Sequence, residues 1–169
     1  MLISKKMVGA INTQIGNEFG ASLQYVAIAA YFGSESLPEL CQHFNKQALE
    51  ERQHAMKFVK YVVDAGGRVE IPAVPAPKSR FATAEEAVKL SLDWEITVTK
   101  QINALVDQAA KENDHTTHSF LQWFVNEQLE EVSSMDTLLK IIRRAGANLL
   151  FVEDYLARRG SKPAAPAGE

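Results

Sequence analysis

The chain has a single cysteine, Cys41, in 169 residues, so no internal disulfide can staple it and no Cys-x-x-Cys pair offers a thiolate site. Excess charge of one sign is also missing: 18 Lys and Arg stand against 21 Asp and Glu, a net charge of −3. No basic stripe able to grip a phosphate backbone results, and nucleic acid is not an expected partner. Long apolar runs are lacking. The stretch from Tyr25 to Phe32 is too short to span a bilayer, and Met1-Leu2-Ile3-Ser4-Lys5-Lys6 has no apolar signal core. The expectation is a soluble, cytoplasmic protein without a membrane partner. Convincing strand patterns are absent too. Apolar residues still make up 46%, which suffices for a real core in one domain.

What is present is helix-period patterning. A first segment runs from about Ser4 to Phe32 and stops at Gly33. Ser36-Leu37-Pro38-Glu39 reads as a capping box with proline in the first turn; it opens a helix reaching about Ala65, closed by Gly66-Gly67. Thr83-Ala84-Glu85-Glu86 is a second capping box, and its helix continues to about Lys111. A fourth helix starts after Asp114 and reaches about Ala145, with Gly146 as the stop. A short amphipathic segment from Asn148 to Arg159 follows. Residues 1–160 form one domain on this reading, and the Ala- and Pro-rich tail, 161–169, is expected to be disordered.

The connections set the topology. Short links make helices one and two antiparallel, and likewise three and four. The link from Gly66 to Ala82 carries Pro72, Pro75 and Pro77. A helix of about 29 residues is roughly 43 Å long. Some 16 extended residues reach roughly 50 Å, enough to travel that length. The fold class is therefore all-α: a four-helix bundle with one long crossover between helices two and three, plus a short fifth helix. The alternative, two hairpins on a flexible tether, would leave each apolar stripe exposed.

Each stripe is broken by an acid near mid-helix. Glu18 interrupts Ile11, Ile15, Ser22, Tyr25, Ala29, Phe32; Glu51 interrupts Phe44, Ala48, Ala55, Phe58, Val62. Glu95 interrupts Ser91, Val98, Ile102, Leu105, and Glu131 interrupts Phe120, Phe124, Met135, Leu138, Ile142. In an aligned bundle such positions share one height, so the four acids should meet in one layer of the core. His54 lies on the face of Glu51, one turn away. An ionised carboxylate in a dry core must pair, neutralise or bind metal, and no Lys or Arg lies on these faces. A pair of divalent cations answers the requirement, and oxygen ligands with one imidazole suit Fe(II) or Mn(II) better than structural zinc.

On Asn17-Glu18-Phe19 with Gln24-Tyr25, Glu50-Glu51-Arg52-Gln53-His54-Ala55, Asp93-Trp94-Glu95 and Gln122-Trp123-Phe124-Val125-Asn126-Glu127-Gln128-Leu129-Glu130-Glu131, the chain resembles ferritins of the bacterial non-haem branch along nearly its whole length. The resemblance implies one iron on Glu18, Glu51 and His54, and a second on Glu51 as bridge with Glu95 and Glu131. Gln128 would orient oxygen or water beside them, and a third, weaker iron site would fall on Glu50, Glu127 and Glu130. Haem is not expected, because Arg52 stands where bacterioferritins carry a ligating Met and Gln128-x-x-Glu131 replaces their second Glu-x-x-His. The implied activity is oxidation of Fe(II) by O2 or peroxide, with storage of ferric mineral in a cage of 24 subunits. The short last helix resembles the one lining four-fold pores. A peroxide scavenger that stores nothing, or a non-catalytic helical assembly protein, are the rivals.

Tyr25 lies on the face of Glu18. The resemblance implies that it stabilises intermediates or lends an electron; on the residues alone it reads as a buried Tyr bonded to a carboxylate, and the two are compatible. Trp123 reads as packing, with a redox role as the alternative. His115 and His118 open helix four as a solvated start, or as part of a three-fold pore by resemblance. His43 and Cys41 are expected to face solvent or a partner subunit.

Overall fold

The computed structural model describes residues 2–160; the tail expected over 161–169 lies outside the described residues. Five helices follow in order: α1 Lys5–Ser34, α2 Pro38–Asp64, α3 Ala84–Lys111, α4 His115–Ala145 and α5 Leu149–Gly160. Three begin on side-chain caps. Ser4 Oγ accepts from Met7 N at 3.0 Å, Thr83 Oγ1 from Glu86 N at 3.1 Å and Asp114 Oδ1 from Thr117 N at 2.9 Å. Gly66 and Gly146, at φ of 77° and 56°, make the turns that follow α2 and α4.

The start of α2 differs from expectation. Ser36 is in the left-handed region, at φ 60°, and Leu37 occupies the cap position with no side-chain bond. The Ser36 capping box therefore does not form. Its place is taken from far along the chain: the buried Glu153 carboxylate of α5 accepts from Glu39 N at 2.8 Å and Leu40 N at 2.9 Å. Helix α1 also runs through Gly33 instead of stopping there; a Cβ at Gly33 would sit 3.5 Å from Cys41 Sγ, so the residue marks a close approach of α1 to α2.

Two apolar clusters fill the bundle, one at each end. One joins Ile3, Met7, Ile11 and Ile15 of the N-terminal segment to Phe58 and Val62 of α2, Val98 and Ile102 of α3, and Leu121 and Phe124 of α4. The other joins Ile28 and Phe32 to Leu40, Phe44, Val88, Met135, Leu138 and Val152 of α5. The end of α2 thus lies with the end of α3, so these helices run parallel and the long crossover is real. It lies along α1: Asn12 Nδ2 donates to Arg68 O at 3.0 Å, Gln24 Nε2 donates to Lys78 O at 2.8 Å, and Lys78 N donates back to Gln24 Oε1 at 2.9 Å. Between these bonds, Gly16 and Gly20 leave room for Pro72 and Val74.

That stripe makes a stability prediction. A methyl at Gly16 would fall well inside van der Waals contact of Pro72 Cγ and 3.1 Å from Cδ, so Gly16→Ala should cost about 1–3 kcal/mol by overpacking. Gly9, on the same helix with nothing within 4 Å of such a methyl, should instead gain about 0.5–1 kcal/mol as Ala. Denaturant midpoints of the two variants, moving in opposite directions, check this.

Candidate metal centre

Between the two apolar clusters lies a polar layer at mid-helix. It follows from the sequence: on α1 the layer falls between Ile15 and Ala21, on α2 between Ala48 and Phe58, on α3 between Val88 and Val98, on α4 between Phe124 and Met135. Glu18, Glu51, Glu95 and Glu131 occupy it with exposures of 1, 2, 1 and 6%. Among the described residues no Lys or Arg pairs with any of them.

Glu18, Glu51 and His54 bring one ligand-type atom each within 4.8 Å of the others. His54 Nδ1 is 3.5 Å from Glu51 Oε2, and Gln14 Nε2 donates to Glu18 Oε1 at 2.8 Å. Glu18 Oε2 and Glu51 Oε1 are buried with no hydrogen-bond partner among the described residues. Two orphaned carboxylate oxygens beside an imidazole are costly in a protein interior and well suited to a divalent cation. The donor set fits such an ion. Burial first, then the neighbouring carboxylate (Glu51 for Glu18, Glu95 for Glu51), pushes both acids well above the usual range.

Glu95 is held differently. Tyr25 OH donates to Glu95 Oε1, and Gln128 Nε2 donates to Glu95 Oε2 at 3.2 Å. Burial raises the Glu95 carboxyl, and these two donors act against the rise. Tyr25 is fully buried, and burial followed by the Glu95 charge pushes its phenol well up, so it stays protonated as a donor. The hydrogen-bonded Tyr expected as one reading of the sequence is therefore present. Glu131 accepts from Gln47 Nε2 at 3.0 Å, and burial, then Glu95 and Glu50, raise its carboxyl to about 8.

His54 belongs to a second group with Glu127 and Glu131, and its Nε2 is 3.7 Å from Glu127 Oε1. Its ring packs edge-on to Trp123 and Phe124, with centroids at 5.4 and 6.1 Å. Trp123 also lies under Lys57 Nζ, 2.9 Å from the ring centroid. Glu50 and Glu127 are half-buried and Glu130 is exposed; neither metal-type group contains Glu50 or Glu130. His115 is exposed and His118 half-buried at the start of α4. His43 is half-buried and edge-on to Phe44, and burial, then Lys46 and Arg159, lower it to about 4.

Sequence reasoning passed over Gln14 and Gln47. Each sits four residues before a buried Glu, Gln14 before Glu18 and Gln47 before Glu51, one helical turn back on the same face. That recurrence is a readable signal.

An all-α bundle with one long crossover, burying an acid from each of four helices and one imidazole, defines the ferritin-like class. Residues 8–145 match the ferritin-like domain family, and the chain belongs to the ferritin family. A ferritin BfrB of Mycolicibacterium smegmatis is 46% identical over 168 residues, covering 97% of this chain and 93% of that protein. A bacterial non-heme ferritin of Staphylococcus aureus is 38% identical over 153 residues, covering 89% and 92%. Among solved structures, an open-pore ferritin from the archaeon Archaeoglobus fulgidus superposes with a TM-score of 0.90 at 38% identity, covering 92% of this chain and 97% of that one.

Proposed function

We propose that this ferritin stores iron and oxidises it first, taking two Fe(II) into the buried carboxylate layer. The observation that carries the reading is the pair of orphaned oxygens, Glu18 Oε2 and Glu51 Oε1, gathered with His54 in a dry core. In the proposed assignment, Glu18, Glu51 and His54 hold one iron, while Glu51, Glu95 and Glu131 hold the other. Glu50, Glu127 and Glu130 form a weaker third position toward the surface. Iron is substrate and cargo here. Two Fe(II) held together supply the electron pair that takes O2 to peroxide, or peroxide to water, with protons from solvent.

The chain's own residues divide the remaining work. Gln128 and Tyr25 fix Glu95 from two sides, Gln14 fixes Glu18, and the aromatic wall of Trp123 and Phe124 limits the motion of His54. Few protein ligands per iron leave coordination positions open to water, so hydrolysed ferric product can move on to mineral.

A homo-oligomeric cage of 24 subunits completes the reading. Leu49, Met56 and Val63 repeat every seventh residue along one exposed face of α2, and Leu23 and Val26 of α1 and Leu150 and Phe151 of α5 are exposed too. Apolar surface of that kind suits burial between copies. No helix among the described residues is long and apolar enough to cross a membrane. A reducing cytosol, where Cys41 stays a free thiol, is the proposed location.

Aerobic addition of Fe(II) to metal-free protein, followed by particle sizing and iron counting, tests this. Storage predicts a large, uniform particle that keeps taking up iron long after the buried positions are filled. Uptake that stops once those positions are filled would favour a peroxide scavenger instead, and a stable monomer in light scattering would count against the cage.

A further inference from the structure

The donors serving the buried acids are unevenly shared. Glu95 has two, Tyr25 and Gln128, and Glu18 has Gln14 from its own helix. Among the described residues Glu131 has one, Gln47, reaching across from α2 to α4. Gln47 is 5% exposed, and its Nε2 lies 3.0 Å from Glu131 Oε2 and 3.0 Å from Glu50 Oε2. A primary amide nitrogen carries two N–H groups, so both bonds form at once. Glu50 is half-buried, and its other oxygen, Oε1, is 3.4 Å from Lys46 Nζ. Gln47 thus stands in the wall between the buried layer and the surface. It also borders an open cavity of about 350 Å³ with His43, Lys46, Ser134 and Arg159.

We propose that Gln47 is a positioning residue: it aims Glu131 at the second metal position and ties that carboxylate to Glu50, without holding metal itself. The inference rests on the reading of the layer as a two-metal centre. Its physical basis is the order of the donors. A carboxylate with a single partner loses its fixed orientation when that partner goes, whereas Glu95 would keep one of two. Groups that orient metal ligands are worth about 10- to 100-fold in affinity. The loss should therefore fall on the Glu131 position and spare the one built from Glu18, Glu51 and His54.

The test is a Co(II) titration of the assembled metal-free protein, read by ligand-field absorption. Wild type should show two buried binding steps. Gln47→Leu should weaken one step by about tenfold or more and leave the step at Glu18, Glu51 and His54 unchanged. Gln47→Met, more adaptable in shape, should do the same should Leu disturb assembly. In a Glu131→Gln background the Gln47 change should have little further effect, since the two act as one unit. Two unchanged steps in the variants, or both weakened equally as general loosening would produce, overturn the positioning role while leaving the metal centre in place. A wild type with no buried Co(II) step removes the centre itself and the inference with it.

Discussion

Glu51→Ala combined with His54→Ala should slow Fe(II) oxidation by more than about 100-fold, since even groups behind the ligands cost 10- to 100-fold. Glu51 is the residue that both proposed iron positions share, and His54 is the imidazole that takes part in both metal-type groups. Losing them removes ligands from the whole layer at once. The bundle should survive. Glu51 is buried beside Glu18, and burial first, then the Glu95 charge, raises its carboxyl, so its removal takes away desolvation cost and repulsion as well as packing. The opened space offsets part of that gain, because buried deletions leave cavities. Stopped-flow absorbance of ferric product, beside circular dichroism and particle size, makes the comparison. An assembled double variant oxidising at the wild-type rate would remove the assigned site.

Without metal, stability should fall as the pH rises from 6.5 to 8. The sign follows from Glu131, whose folded carboxyl titrates at about 8 against an ordinary 4.5. Between those values the folded chain holds a proton that the unfolded chain has released, so stability declines with pH, by at most about 1.4 kcal/mol per pH unit for one such group. Below 4.5 both states are protonated and the contribution is complete; above 8 it is gone. Glu18, Glu51 and Glu95 are raised too and act in the same direction. His43 opposes them lower down: it falls from 6.5 to about 4 on folding, so its contribution is present above 6.5 and lost as the pH drops toward 4. Above 6.5 the carboxylates act without it. Zn(II), a redox-inert substitute, should reverse the trend, stabilising more at pH 8 than at pH 6.5 and releasing protons at pH 7 as Glu131 gives up its own. Calorimetry of metal-free and zinc-loaded protein at both pH values, with uptake followed by a pH indicator, tests both halves. A metal-free protein that gains stability from pH 6.5 to 8 would contradict the burial of these acids.

Helices α3 and α4 were legible nearly to the residue, because Thr83 and Asp114 are local caps and Gly146 is a local stop. The common height of Glu18, Glu51, Glu95 and Glu131 was legible for the same kind of reason: interrupted stripes of similar length can pack only in register. What escaped depends on partners distant in sequence. Ser36 looked like the cap of α2, yet Glu153, more than a hundred residues on, supplies that bond. The role of Gly16 shows only once Pro72 lies across it. The spacing of Gln47 from Glu51 marks it as part of the layer, but its partner Glu131 comes from α4 and only the fold shows it.

The strap along α1 is the sole covalent tie between the half-chain bearing Glu18, Glu51 and His54 and the half-chain bearing Glu95 and Glu131. Nicked there, the protein would become two complementary fragments whose reunion obliges the buried acids to take up protons unless an ion comes with them. Fragment association and ion capture would then be one linked equilibrium, with the grip between the pieces tightening as free cation becomes more abundant.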